Sequence, residues 1–518
     1  MNKFIFKLPL VLTVVLLGFI RCKNKDIQNL NQRATATTTA KAKAIINLGC
    51  PNSPAPFNFK LINNGDVIVN RNITLKTGNT YILNNYFRVQ NGKTITIEPG
   101  VTIKGNYTGT GCSIAPGTLV IERGAKIQAS GTASQPIVFT SNDNRPEPGD
   151  WGGVVVLGRA SVNIRQNSFI LGTRNGIGAI NGLPVPNNTG LYGSIPAVNN
   201  DNSGTLRYIR IEYAGDNIGE DNNLNGLTLG GVGSGTTLEY IQVSFSFADG
   251  FGFFGGTVNG KYLVANRNSD DDFDTDQGYK GNLQFGVAIR EPRGKPGFLY
   301  NHPINGIETN GDQDIAYLNG PNDYTSANLS NFTVIGPYQN NCGENVHLNY
   351  SSGIYLRDNS DQNLYNSVIF GFNSGIRISD DTGAANFNTS AIPNNSLIDV
   401  KNTTLVVPAE GDGFATLDDA TDTDFDAAFL RPALNNSILE ADGCIKEVDM
   451  AAAAGLSASA WSGIFGVQPN LNPLAGSSLL GSASFTNINS NSFFTVVNYR
   501  GAFAENDNWL NGWTNWSL

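Results

Sequence analysis

The chain has 518 residues, 40% of them hydrophobic and only 15% charged, with 59 glycines and a formal net charge of −9. That hydrophobic share, with 28 phenylalanines and 17 tyrosines, can fill a large core, which excludes wholesale disorder. An acidic chain without a basic stripe argues against nucleic-acid binding, and abundant Gly and Asn with few charges suit short strands and turns better than helices.

Residues 1–22 read as an export signal. Lys3 and Lys7 precede an apolar run over 8–20, short of the ~20 residues that a spanning helix needs. No later stretch is long and apolar enough to span a bilayer, so channel and transporter readings fall. The run closes on FIRCKNKD (19–26), which resembles a bacterial lipoprotein signal, with Arg21 standing where a small residue is usual. Cys22 is therefore the expected lipidation site. The expected place is the cell envelope, anchored by lipid to the outer membrane and exposed at the surface. Residues 23–48, polar and then Ala/Thr/Lys-rich, read as a flexible tether.

If Cys22 is acylated, Cys50, Cys112, Cys342 and Cys444 remain, an even number that permits two disulfides in an oxidising compartment. Of the three pairings, Cys50–Cys112 with Cys342–Cys444 closes the shorter loops. With no CxxC and no Cys/His cluster, structural zinc is not expected.

Residues 49–518 read as one domain because they repeat. ITIEPGVTIKG (95–105) and LVIERGAKIQASG (119–131) align Glu98 with Glu122 and Ile103 with Ile127. GIYLRD (353–358) matches GIRISD (375–380), and LEYIQVS (238–244) matches KYLVANR (261–267), with LRYIRIEYAG (206–215) as a third copy. Short alternating strands recurring about every two dozen residues, punctuated by Gly and Asn, predict a coiled solenoid. A single coil cannot bury its inward face, so coils stack and their strands pair in parallel. The fold class is therefore all-β, a right-handed parallel β-helix with N- and C-terminal caps. The caps are expected near 60–94 and over 445–518, where EVDMAAAAGLSASAW (447–461) suggests a short helix and Trp509, Trp513 and Trp516 are expected to close the last coil. A β-propeller is the competitor, but its blades run to ~40–50 residues.

Together with GDWGGVVVLGRA (149–160), NGLTLGGVGSGTTLEYIQVSFS (225–246), the stretch from DGFGFFGG to GVAIR (249–290) and the closing YRGAF…WLNGWTNW, these repeats resemble a family of Bacteroidota cell-envelope lipoproteins. Its bodies are right-handed parallel β-helices, pectate-lyase-like solenoids. The resemblance implies an exported, often lipid-anchored surface protein and implies no particular activity.

The sharpest local feature is SDDDFDTDQG (269–278). Strand alternation would put Asp270, Asp272, Asp274 and Asp276 on one face, ~6–7 Å apart. Neighbouring carboxylates would repel by roughly 2 kcal/mol at an effective dielectric near 20. Solvent or a hard cation relieves that, and oxygen donors at this density suit Ca²⁺, the expected cofactor. The spacing departs from an EF-hand loop, since Gly278 comes one place late and Leu283 stands where Glu is needed. Asp216, Glu220 and Asp221 in AGDNIGEDNNLNG (214–226), and Glu308 and Asp312 in IETNGDQD (307–314), are expected ligand or supporting residues on the same side. Arg267 and Arg290 are expected charge partners of the Asp run. Phe251, Phe253 and Phe254 alternate poorly, so at least one is expected to face outward, where it can stack on a sugar.

A catalytic constellation is missing from this reading. His302 and His347 sit in no Gly-His-Gly context, and Asp380–Asp381 reads as a turn. The expected function is binding or scaffolding, with a glycan or an outer-membrane uptake protein as partner. A Ca²⁺-dependent polysaccharide lyase or glycoside hydrolase is the alternative, and a self-associating adhesin the third reading.

Overall fold

A computed structural model describes residues 44–62, 65–163, 178–180, 189–217, 223–290, 303–311, 324–337, 349–357, 360–378, 399–408, 412–416, 426–427, 429–441, 450–457, 460, 466–486, 488 and 491–517. The leader, Cys22, Cys342, Cys444, Glu220, Asp221, Asp312, both histidines and Asp380–Asp381 lie outside these residues. None of the described helices is long and apolar enough to cross a membrane.

Among the described residues the strands assemble into two long sheets, one of 17 strands and one of 12. All pairings within them are parallel except that of Leu61–Ile62 with Asp66–Val69. In the 12-stranded sheet one register position runs through Val67, Phe87, Leu119, Val154, Leu227, Phe251, Phe273, Ile307, Ile354 and Ile376. All ten are buried in one cluster with Ile209, Ile241 and Leu263 of the facing sheet. Period-two alternation thus sends every second residue into a single apolar column, at about 4.8 Å per coil. This is a parallel β-helix.

Its corners are held by left-handed residues. Tyr208, Tyr240, Tyr262 and Phe285 in the earlier coils, then Asn331, Asn366, Asn402 and Asn435 in the later ones, take φ of 50–60° at equivalent places in the 17-stranded sheet. Asparagine tolerates that region, whereas an aromatic pays for it. Stacking offsets the cost, because Tyr208–Tyr240 and Tyr240–Tyr262 rings lie 4.4 Å apart and Tyr262–Phe285 5.0 Å.

Two expected boundaries move. Ile45–Leu48, counted with the tether, pairs in parallel with Thr80–Leu83, and the Cys50–Cys112 disulfide fastens the same region. Residues 66–89, expected in the cap, supply regular coil strands. At the other end Met450–Ala453 is helical, but the aromatic tail does not sit on the last coil. It runs back along the flank: Asn331 Nδ2 donates to Tyr499 O, and Gln242 exchanges two hydrogen bonds with the Asn515 backbone. Trp509 and Trp513 pack edge-on against Tyr262, Tyr240 and Tyr208. The stacked corner rings form an apolar stripe, and the tail covers it.

Candidate functional site: an acidic cluster on one sheet

The acidic side chains gather on the outward face of the 12-stranded sheet. Adjacent to the buried column, Gly252, Asp274, Glu308, Tyr355 and Arg377 lie side by side in register on successive coils. Asp270 and Asp271 come from the turn just before the strand Phe273–Asp276, and Asp249 from the equivalent turn one coil earlier. The two turns are tied together, since Asp271 N donates to Asp249 Oδ1 at 3.1 Å and Gly250 N donates to Asp271 O at 2.8 Å. One carboxylate oxygen from each of Asp249, Asp270 and Asp271 lies within 4.8 Å of the others. With Asp274, Glu308, Tyr355 and Arg357 they line a pocket of about 340 Å³.

Burial and mutual repulsion dominate its electrostatics. Asp249, Asp270, Asp271 and Asp274 are all held well above the usual carboxylate range, first by desolvation and then by neighbouring carboxylates, with Arg290 opposing at the first three. Asp274 is 8% exposed, and its buried Oδ1 accepts no hydrogen bond. Glu308 is better satisfied: Arg357 Nη1 and Asn310 Nδ2 donate to its Oε1 at 2.9 and 3.0 Å, and Asn305 Nδ2 to Oε2 at 3.2 Å. Clustered carboxylate oxygens, one of them buried and unpartnered, are the donor set that a hard divalent cation takes.

The grouping differs from the one expected from alternation. Asp272 turns inward, fully buried, and forms an ion pair with Arg290 at 2.8 Å. Its carboxyl is pushed up to about 6 by burial, with Arg290 pulling the other way. The reason is local: residues 269–272 form a turn, and the strand begins only at Phe273. Asp276 shares the outer face with Asp274, but two residues along, where its charge acts on Tyr192. Asp216 lies in a short strand antiparallel to Asn223–Leu224, where its charge acts on Tyr86, and it is not among the residues that line the pocket. Arg267 stands at a left-handed corner with its Cζ 5.5 Å above the Phe245 ring. Among the described residues of the expected set, Asp270, Asp274 and Glu308 line the pocket; Asp249, Asp271, Tyr355 and Arg357 join them unforeseen. The 22-residue repeat carried the signal for Asp249, since it aligns with Asp271 as Phe251 does with Phe273. Of the three phenylalanines, Phe251 and Phe253 are core and Phe254 faces partly outward.

Comparison with known families adds one assignment. The sequence profile of the pectate-lyase like beta helix domain matches residues 66–429. The chain belongs to that family. The pectate-lyase-like β-helix domain thus spans every strand that builds the acidic cluster. The crystal structure of pectate lyase Pel9A matches with 16% identity, covering 81% of this chain and 89% of that one, at a TM-score of 0.38. A search of curated proteins returned no match.

Proposed function

We propose that this pectate-lyase-like β-helix is a surface-anchored binding protein that engages an acidic glycan through a divalent cation, Ca²⁺, at Asp249, Asp270, Asp271 and Asp274. The observation that carries the reading is the charge imbalance: four carboxylates converge, those of Asp271 and Asp274 buried and those of Asp249 and Asp270 half-buried, and among the described lining residues Arg357 is the only cation, at the rim. A bound Ca²⁺ would neutralise the carboxylates and leave coordination places for a uronate carboxylate. Lipidation at Cys22 would hold the body at the outer membrane, as the leader suggests.

A second reading, lyase chemistry, rests on family membership and on Arg357 beside Tyr355. β-Elimination from a uronate needs an unprotonated base at the acidic ring proton. Arg357 is paired with Glu308 at 2.9 Å, and such a pair keeps guanidinium charged. Binding without turnover is therefore the better fit.

The test is calorimetry of the folded chain with Ca²⁺, followed by retention on a polyuronate column with and without chelator. Ca²⁺ uptake and chelator-sensitive retention are expected. Retention that ignores chelator, or an absence of uptake, sinks the cation role, and release of unsaturated uronate products replaces binding with lysis.

A further inference from the structure

Beside the acidic cluster lies a second, smaller cavity of about 130 Å³ that shares Asp249 and Asp270 with it. Ile180 and Tyr192 form one wall, both buried in a local apolar cluster, and Phe254 packs against that cluster with part of its ring open. The ring lies across Gly252, where a Cβ would stand 2.8 Å from Phe254 Cε2. Gly252 is the register partner of Asp274. The Phe254 ring thus lies over the position one coil, about 4.8 Å of stacking, from Asp274, roughly the step from one sugar to the next.

Polar groups in this cavity are neutral or acidic. Asn223 and Gln277 line it, and the buried Oδ1 of Asn223 accepts no hydrogen bond. No Lys, Arg or His is among its described lining residues, and Asp276 stands nearby, acting on Tyr192. With Ca²⁺ held by Asp249 and Asp270, the charge of Asp276 would still repel a carboxylate entering here, and no described lining residue offers it a positive side chain. At the opposite border of the cation site the charge reverses, with Arg357 Cζ 5.3 Å over the Tyr355 ring. The volume is below the ~300–1,000 Å³ of a general small-molecule pocket, so it admits one ring edge or substituent.

We infer that this cavity is a selectivity subsite for a neutral sugar with an apolar face or methyl group, so the glycan is a mixed polymer whose cation-bound uronate is flanked by a neutral residue. The inference rests on the cation-dependent glycan reading above. An apolar face would stack on Phe254, and a hydroxyl would donate to Asn223 Oδ1.

Two tetrasaccharides separate the possibilities in calorimetry on the whole secreted chain with Ca²⁺: tetragalacturonate, and one alternating galacturonate with rhamnose. The alternating probe should bind at least about tenfold more tightly. Phe254→Ala, and Asn223→Ala as the variant that spares the apolar wall, should each bring the ratio of the two affinities toward one, with cooperative unfolding checked for both. Equal or tighter binding of the uniform probe overturns the subsite and leaves the glycan reading standing. So does a ratio untouched by either substitution. If neither probe binds although Ca²⁺ is taken up, the glycan reading itself fails and the subsite goes with it.

Discussion

Asp272 and Arg290 face each other inside the β-helix at 2.8 Å, and neither side chain has any solvent exposure. Arg290 also donates through Nη1 to Asn268 O at 2.9 Å and through Nη2 to Asn305 O. It thereby ties together the two turns that precede the strands Phe273–Asp276 and Ile307–Asn310. Asn305 N in turn donates to Asp271, so the internal pair shapes the outer cluster.

Breaking that pair from one side should be expensive. Arg290→Met strands a buried carboxylate and is expected to cost about 3–5 kcal/mol in denaturant unfolding. The double variant Asp272→Asn/Arg290→Met should recover part of the loss, because no charge then stays buried. A single-variant cost under about 1 kcal/mol, the range of exposed pairs, would mean that the pair is not buried in solution.

The acidic cluster should couple stability to pH and to Ca²⁺. Its carboxyls are raised in the folded chain, so between the ordinary value near ~4 and the raised one the folded state holds more protons than the unfolded. With chelator, Tm should therefore fall as pH rises above about 4. Saturating Ca²⁺ should reverse that fall, adding about 2.7 kcal/mol at a hundred times its Kd. Asp271→Asn/Asp274→Asn should lose the Ca²⁺ response and, in chelator at neutral pH, melt above the parent. A thermal scan in which the parent ignores Ca²⁺ at every pH defeats the site.

Asp361 offers a separate check away from the cluster. Burial lifts its carboxyl to about 6, while the hydrogen bond from Ser326 and the charge of Lys280 pull it down. The folded pKa exceeds the unfolded one, so this residue's contribution is most favourable at low pH and is lost as pH rises from about 4 to about 6. Asp361→Asn should flatten the stability profile in that window alone. A profile identical to that of the parent would show that Asp361 titrates normally.

The tail makes a prediction about packing. Trp513 has no exposure, donates from Nε1 to Trp509 O at 2.6 Å and sits about 6 Å from both the Tyr208 and Tyr240 rings. Trp513→Ala should cost about 3–5 kcal/mol and raise tyrosine accessibility at Tyr208 and Tyr240 in a modification assay. Unchanged accessibility would place the tail elsewhere.

Much of the fold is legible in the residues. Val67 through Ile376 form one column because the repeat length returns each alternating strand to the same phase, and alternation alone decides which side faces in. Likewise the helix at Met450–Ala453 follows from local pattern, whereas which of the three phenylalanines stays partly open, Phe254, was not legible in it. The acidic cluster was legible only in part. Asp270 and Asp274 stand in the run that draws attention, but alternation assigns Asp272 to the wrong side because it assumes a strand where the chain turns.

Local order belongs to the sequence, since it depends on neighbours one or two residues apart, and the inward column follows once the repeat length keeps that alternation in phase from coil to coil. The site belongs to the tertiary structure. Asp249 meets Asp271 only because parallel stacking lays residues 22 apart against each other, and Glu308, Tyr355 and Arg357 arrive from coils further on. Which carboxylate pairs inside and which share the outer pocket depends on how a turn leaves its coil, and there the energies are set by burial and by charges distant along the chain.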